Sequence, residues 1–347
     1  MKKYISFFTA ILLATSFLMA QTPEGRTRAT IIADALAQLP AANQTQYNRT
    51  MADLVSTGEE GLLELIERMN PPGKNSNEVL DYAISGWTNF VANDETNRAI
   101  ATSAYEKALS QQFHNVIKAM IIRQLEKIGT DNNVQALSAF LTDERLAAPA
   151  AQALVSIGME NAMQALTNAL ANNPQESIKL NLVNALGQAG YEKAESLLIG
   201  ELAKNPSIEY TDVLLSALSK VGGKNSFVPL KSAAQKINYS YQADNSATAS
   251  YLSLLKRLVG SDAKLVEKDA KSLLAFATKQ NRSDLKVAAS QLLLAIPSTN
   301  KTNILKGALK DGNIAYLSNV LNSGTFQTDK KAVDMIVKEL NPRASAE

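Results

Sequence analysis

Apolar residues recur along most of this chain at the three- and four-residue spacing of an amphipathic helix. Residues 116–128 show the pattern, with Ile117, Ile121 and Leu125 on one side. No run combines sustained β-alternation with Asn-Gly or Asp-Gly hairpin turns. The pattern predicts roughly nineteen helices of about 10–17 residues. The breaks between helices are short and contain Pro or Gly, as at residues 71–73, 173–174, 205–206 and 222–223.

The breaks also recur at a regular spacing. One helix of each pair ends in a small or apolar sequence followed by glycine, at Gly129, Gly158, Gly190 and Gly222, with a looser copy at Gly260. These glycines stand 29, 32, 32 and 38 residues apart. A period of about 30 residues built of two helices is typical of an α-solenoid, because each helix pair can bury its apolar face only against the next pair.

The repeats resemble the HEAT repeat family, and within it the short HEAT-like (PBS-lyase-type) repeats of bacterial proteins. The resemblance rests on residues 141–158 and on residues 170–190. Asp143 matches the family's turn aspartate, whereas the position of the arginine that pairs with it holds Ala147 in one repeat and Lys179 in the next. The resemblance implies an all-α fold of the α-α superhelix class, a right-handed solenoid, and specifies function hardly at all.

These signals divide the chain into segments. The terminal pairs of a solenoid are expected to be atypical caps, and the glycine signal fades in the last third. The predicted segments are a signal peptide at residues 1–20, an N-terminal helical cap region at 21–113, HEAT-like repeats at 114–260, divergent C-terminal helical repeats at 261–340, and a tail or linker at 341–347.

The N-terminus has the organisation of an export signal. Lys2 and Lys3 precede an apolar stretch at residues 4–13, and Ala20 precedes the polar sequence that starts at Gln21. Cleavage after Ala20 predicts a periplasmic or secreted protein, which is not a lipoprotein because the chain has no cysteine. An uncleaved anchor is the alternative, although the apolar stretch is shorter than the ~20 residues of a spanning helix. The signal resembles those of Bacteroidetes.

Charge is balanced overall and unevenly distributed. The full chain has 35 basic and 33 acidic residues, and removal of the signal leaves 33 of each, so no attraction to nucleic acid or anionic membrane is expected. Residues 21–222 carry a net charge of −8 and residues 223–347 a net charge of +8. The split reflects either compositional drift on solvated helix faces or a basic half that docks an acidic partner or a neighbouring copy.

Catalytic motifs are absent from the sequence, and no cofactor or metal is expected. Walker, GxGxxG, GxSxG, HExxH and EF-hand patterns do not occur, and the chain has one histidine. His114 lies between two helices, where an exposed or capping role is expected. Asp262, Glu267 and Asp269 interleave with lysines, a pattern that predicts a solvated helix face. The sequence therefore predicts a protein that is not an enzyme.

One aromatic group is a candidate contact patch. Tyr239, Tyr241 and Tyr251 flank the polar loop that departs most from the repeat. An exposed tyrosine cluster there, together with Lys256 and Arg257, is the predicted partner contact. The alternative is ordinary packing of a lengthened repeat.

Three function classes follow from these observations. The first is an exported, non-enzymatic scaffold that binds a protein or peptide through an extended repeat surface, as the resemblance implies. The second is the N-terminal accessory region of a secreted carbohydrate-active protein, whose partner domain of the 3-keto-disaccharide hydrolase type is not in this chain. The third is an enzyme of the bilin lyase type, which also has HEAT-like repeats. The scaffold is favoured because the repeat is clear and no catalytic constellation accompanies it.

Overall fold

The computed structural model describes residues 25–173, 175–241, 246–324, 326 and 330–344. The predicted signal peptide lies outside the described residues. Within the described residues the chain forms nineteen α-helices, α1 to α19, three short 3₁₀ helices and no strand. The roughly nineteen helices expected from the apolar periodicity are therefore present. The chain divides into two compact units, Met1–Asn173 and Pro174–Glu347.

Within its described residues, 25–173, the first unit contains nine α-helices that follow one another with short connections. They are α1 (Arg28–Ala37), α2 (Gln44–Val55), α3 (Gly58–Glu67), α4 (Glu78–Val91), α5 (Glu95–Leu109), α6 (Asn115–Ile128), α7 (Val134–Ser138), α8 (Ala147–Ile157) and α9 (Glu160–Asn172). Each helix from α1 to α4 packs against the next helix and the next but one. The buried side chains come mainly from Leu, Ile and Ala, with Trp87 and Tyr105 as the largest.

The part of the second unit that the structure describes contains the other ten α-helices. They are α10 (Glu176–Ala189), α11 (Glu195–Leu202), α12 (Ile208–Val221), α13 (Phe227–Lys236), α14 (Ala247–Leu258), α15 (Ala263–Lys279), α16 (Ser283–Ala295), α17 (Lys301–Asp311), α18 (Ile314–Ser323) and α19 (Lys330–Ala344). The helix α19 includes residues 341–344, which the sequence assigned to a tail or linker.

Alternate helices of the second unit form a layer. The helices α10, α12, α14, α16 and α18 pack in succession, and each of α11, α13, α15 and α17 packs on a member of that layer. Short connections between neighbouring helices make them antiparallel. This stacking of helical pairs is the all-α, α-α superhelix class that the sequence predicts, and it accounts for the period of about 30 residues.

The glycines that mark the repeat end their helices in two different ways. Gly158 and Gly190 adopt positive φ values of 68° and 64°, the left-handed cap expected of them. Gly129 and Gly222 are extended instead, with φ values of −60° and −68°. At Gly222 a Cβ atom would lie 2.4 Å from the Leu218 carbonyl oxygen. Position 222 therefore needs glycine because the Leu218 carbonyl oxygen leaves no room for a Cβ atom, and not because of its φ value.

The turn aspartate of the repeat acts as a cap. Asp143 accepts hydrogen bonds from the backbone N–H groups of Arg145 and Leu146, at 2.8 and 3.0 Å. These bonds satisfy donors that would otherwise be unpaired before α8. Among the described residues, no helix has both the length and the apolar character needed to cross a bilayer.

Candidate binding surface

The tyrosine cavity is a space of about 320 Å³ on the second unit. Its wall includes Lys231 and Gln235 from α13, Tyr251 from α14, and Asp269 and Phe276 from α15. Asn238, Tyr239, Ser272 and Leu273 complete it. The lining therefore combines aromatic rings with amide, hydroxyl and charged groups. Small-ligand sites usually combine apolar and aromatic walls with a few placed polar groups, and the polar share of this lining is larger than that.

A strained turn forms one side of the tyrosine cavity. Asn238 and Tyr239 both have positive φ, at 48° and 53°. Asparagine often adopts this conformation after a helix, but an aromatic residue there costs about 1–2 kcal/mol. Arg282 stabilises the turn by donating hydrogen bonds to both carbonyl oxygens, at 3.5 Å for Asn238 and 3.1 Å for Tyr239. Asp284 holds the Arg282 guanidinium in place with two hydrogen bonds.

The three tyrosines of the predicted contact patch do not form an exposed cluster. Tyr251 is fully buried and Tyr239 is 7% exposed, whereas Tyr241 is 49% exposed. The Tyr239 ring packs 5.9 Å from Tyr251 and 5.3 Å from Phe276, measured between ring centroids. The expectation of exposure was wrong for Tyr239 and Tyr251, because the lengthened repeat packs their rings between α13, α14 and α15. A partner contact by Tyr241 stays a prediction.

Asp269 is the main site residue that sequence reasoning missed. The interleaved charges of α15 predicted a solvated face, but Asp269 is buried. Its two carboxylate oxygens accept hydrogen bonds from the Lys231 ammonium group and the Tyr251 hydroxyl. Lys231 also lies over the Phe227 ring, 5.4 Å from the centroid. The prediction failed because Lys231, the partner of Asp269, lies on another helix, 38 residues earlier in the chain. The spacing of charges along α15 alone cannot indicate such a partner.

The tyrosine hydroxyls near this cavity are held in their neutral form. Burial raises the pKa of Tyr239, and the nearby Asp269 raises it further, while Lys231 and a hydrogen bond from Gln235 act in the opposite direction. Burial likewise raises the pKa of Tyr241, with Asp284 adding to the effect and Arg282 opposing it. Both groups therefore act as hydroxyl donors and acceptors at neutral pH.

The two basic residues of the predicted patch lie elsewhere. Lys256 and Arg257 are exposed at the end of α14. Arg257 lines a second space of about 660 Å³, the loop cavity, which shares no lining residue with the tyrosine cavity. The Arg257 guanidinium donates to the Gly222 carbonyl at 2.6 Å and pairs with Glu192 at 3.5 Å. A partner contact by Lys256 and Arg257 stays a prediction.

A carboxylate fixes the wall of the loop cavity. One oxygen of Glu195 accepts hydrogen bonds from the backbone N–H groups of Gly223 and Ser226 and from the Ser226 hydroxyl, at 2.7, 3.0 and 2.7 Å. Lys224 pairs with Asp262 across the same cavity at 3.3 Å. The charged groups of this cavity thus tie α11 to the turn that precedes α13.

A third space, the apolar groove, runs between α11, α12 and α13 and encloses about 490 Å³. Its apolar lining includes Ile199, Leu202, Pro206, Leu215, Pro229 and Ile237. Lys236 is the charged residue among the lining residues, which include no carboxylate. The groove therefore offers apolar contacts beside an ammonium group.

His114 and Glu59, two polar residues of the first unit, have structural roles. His114 is exposed, and its Nδ1 accepts a hydrogen bond from the Val116 N–H at 3.2 Å, which confirms the expected capping role. Glu59 accepts hydrogen bonds from Lys107 and from Ser103, and these bonds lower its pKa. In the part of the chain that the structure describes, no group of three His, Asp or Glu side chains is placed to hold a metal ion.

Comparisons with known proteins leave the family open. No family model and no curated protein matches the chain. The chain is similar to a solved structure from work on a conserved phosphorylation switch that controls the interaction between cadherin and beta-catenin. The alignment covers 93% of this chain and 79% of the chain in that structure, at 15% sequence identity and a TM-score of 0.41. A likeness at that level supports no argument about function.

Proposed function

We propose that this chain is an exported, non-enzymatic scaffold of HEAT-like repeats that binds a protein or peptide through the surface of its second unit. The apolar groove carries the proposal. A space of about 490 Å³ lined mainly by aliphatic side chains and prolines, with Asn205, Thr211 and Ser232 among them, can take up the apolar side chains of a docked peptide. Water is displaced from both partners, and this burial drives the association.

The chemistry of the groove specifies the kind of peptide. Lys236 is exposed at the groove and has no ion pair among the described residues. A peptide with apolar side chains next to a carboxylate would satisfy the groove and this ammonium group together. The net charge of +8 on residues 223–347 favours the same acidic partner.

Affinity capture with two matched variants tests the proposal. Ala203 is exposed and lines the groove, so Ala203→Glu places a carboxylate among the apolar contacts. Ser196→Glu adds the same side-chain carboxylate to α11 outside the groove. We expect residues 21–347 to capture a saturable envelope protein that Ala203→Glu loses by at least about tenfold and Ser196→Glu retains. Equal capture by both variants would falsify a role for the groove.

Export is tested separately from binding. The proposal expects a mature N-terminus at Gln21 in the periplasmic or culture fraction of cells that express the full chain. Mass spectrometry of the N-terminal peptide measures this directly. A chain that keeps residues 1–20 in the soluble cytosolic fraction overturns the export part of the proposal. Retention on a polysaccharide fraction without protein capture favours the carbohydrate-accessory alternative.

A further inference from the structure

The tyrosine cavity has properties that a protein-docking surface does not need. It is separate from the apolar groove, since the two share no lining residue. Its volume of about 320 Å³ lies at the lower end of the range for small-ligand pockets. The size therefore suits one ring-sized molecule and not an extended chain.

The charges at the cavity wall cancel. Asp269 is buried and is neutralised by Lys231, with the Tyr251 hydroxyl as its second donor. Any charged ligand would meet both an attractive and a repulsive group at close range. An uncharged ligand pays the smaller desolvation cost for the same hydrogen bonds.

The polar groups at the mouth offer both donors and acceptors. Asn238 and Gln235 each present an amide with a donor and an acceptor end. The Ser272 hydroxyl donates to the Lys268 carbonyl at 3.1 Å, which leaves its oxygen as an acceptor facing the cavity. Neighbouring hydroxyl groups of one ring can pair with such alternating donors and acceptors.

Two aromatic rings in the wall of the tyrosine cavity provide an apolar surface for a ligand. Tyr239 and Phe276 pack edge to face and border the polar groups. Rings in this position contact the apolar C–H face of a ligand and exclude water from it. The strained backbone of Tyr239, held by Arg282, fixes its ring at the cavity. Strain of this kind persists where the surrounding structure enforces it, often at binding sites.

We infer that the tyrosine cavity is a binding site for an uncharged polyhydroxylated ring, the size of one monosaccharide unit. The hydroxyl groups bind the Asn238 and Gln235 amides, the Ser272 oxygen and the Lys231 ammonium group. The C–H face of the ring packs on Phe276 and Tyr239. This site lies in the chain itself and is independent of the proposed peptide groove.

Titration of residues 21–347 with a panel of methyl glycosides of glucose, galactose, mannose and N-acetylglucosamine tests the site. Saturation-transfer NMR gives the bound ring protons, and calorimetry gives the dissociation constant. We expect at least one glycoside to bind with a dissociation constant of about 1 mM, as suits a ligand with few atoms. Absence of saturable binding by every member overturns the inference, as does tighter binding of glucuronate than of glucose.

Variants place the binding in the cavity. Ser272 and Thr278 are both exposed on α15, but only Ser272 lines the cavity, so Ser272→Phe should block binding and Thr278→Phe should retain it. Phe276→Ala should weaken binding roughly 3- to 10-fold. Asn238→Gly keeps the positive φ and removes only the amide, so weaker binding with unchanged folding identifies that contact. Binding that survives Ser272→Phe overturns the assignment.

One further variant separates this inference from the proposed function. Ala203→Glu alters the apolar groove and leaves the tyrosine cavity untouched. It should therefore lose peptide capture and retain glycoside binding. Ser272→Phe should do the reverse, so each idea can fail without the other.

Discussion

At the scale of single residues, Lys–acid ion pairs with one buried partner recur in the second unit. The Lys179 ammonium group lies 2.9 Å from Glu201, and Lys286 lies 2.7 Å from Asp311. Each lysine is the fourth residue of its helix, and each acid lies near the end of the next helix. Lys179 occupies the position where the HEAT resemblance expects arginine, and its partner is Glu201 near the end of the next helix.

Removal of one partner of such a pair should be costly. Lys286 is 4% exposed, so Asp311→Asn leaves a buried ammonium group without its counter-ion, with only the hydrogen bond to Asn281 at 3.3 Å. We expect a loss of about 2–4 kcal/mol in the free energy of unfolding, measured by urea denaturation.

Two variants serve as controls for that prediction. Lys271→Met breaks an exposed pair with Glu267, and it should cost less than about 1 kcal/mol. The double variant Lys286→Met with Asp311→Asn should recover part of the loss, because no buried charge is then left unpaired. Equal losses for Asp311→Asn and Lys271→Met would show that burial of the charge left unpaired has no effect.

Glu201 makes the stability of the second unit depend on pH. Burial raises its pKa, but hydrogen bonds and charge from Lys204 and Lys179 outweigh burial and lower it below the usual value near 4.5. A carboxyl whose pKa is lower in the folded chain stabilises the fold above its unfolded pKa. That contribution disappears as the pH falls from about 4.5 through the lowered value.

Glu201→Gln should therefore be less stable than wild type at pH 7, and the difference should shrink as the pH falls below about 4.5. Urea denaturation at several pH values measures the difference. Glu209→Gln changes an exposed carboxylate on α12, and its free energy of unfolding should equal that of wild type at each pH. A Glu201→Gln difference that stays constant with pH contradicts the assignment.

At the scale of helices, Gly187 allows α10 and α12 to approach closely. A Cβ atom at Gly187 would lie 3.0 Å from both Cα and Cβ of Ala217, whereas one at Gly200 would meet nothing within 4 Å. Both glycines lie inside helices, where alanine is favoured by about 0.5–1 kcal/mol.

The two Gly→Ala variants should therefore have opposite effects. Gly187→Ala should destabilise by about 1 kcal/mol, because overpacking between two backbones exceeds the gain in helix propensity. Gly200→Ala should stabilise by about 0.5–1 kcal/mol. Thermal unfolding followed by circular dichroism measures both, and a stabilising Gly187→Ala would show that the helices can separate at no cost.

The helices themselves could be predicted from sequence, and their side-chain partners could not. Apolar periodicity and Pro or Gly breaks are local signals, so α9 and α12 end directly before the predicted breaks at residues 173–174 and 222–223. The tyrosine cavity depends on contacts between α13 and α15, which no local pattern encodes. The sequence of α15 predicts that Asp269 is a surface charge, but Lys231 and Tyr251 from two other helices pack against it and bury it.

At the scale of the whole molecule, the charge split is the property that bears on partner binding. Residues 21–222 carry a net charge of −8 and residues 223–347 a net charge of +8. Attraction between such a basic segment and an acidic partner is screened over about 10 Å at 0.1 M salt. A partner held by charge should therefore dissociate more readily as salt rises, whereas one held by the apolar groove alone should not.

Lys256→Glu tests the basic segment, because Lys256 is exposed and belongs to the predicted contact patch. Lys74→Glu makes the same change at an exposed position in the acidic segment. We expect Lys256→Glu to weaken partner binding about 3- to 10-fold at low salt and to reduce its salt dependence, since one favourable charge becomes repulsive. Lys74→Glu should leave both unchanged. Biosensor measurements at low and moderate salt give the dissociation constant of each variant and its dependence on salt concentration. If wild type binds equally at both salt concentrations, charge does not select the partner, and the aliphatic lining of the groove must supply the affinity.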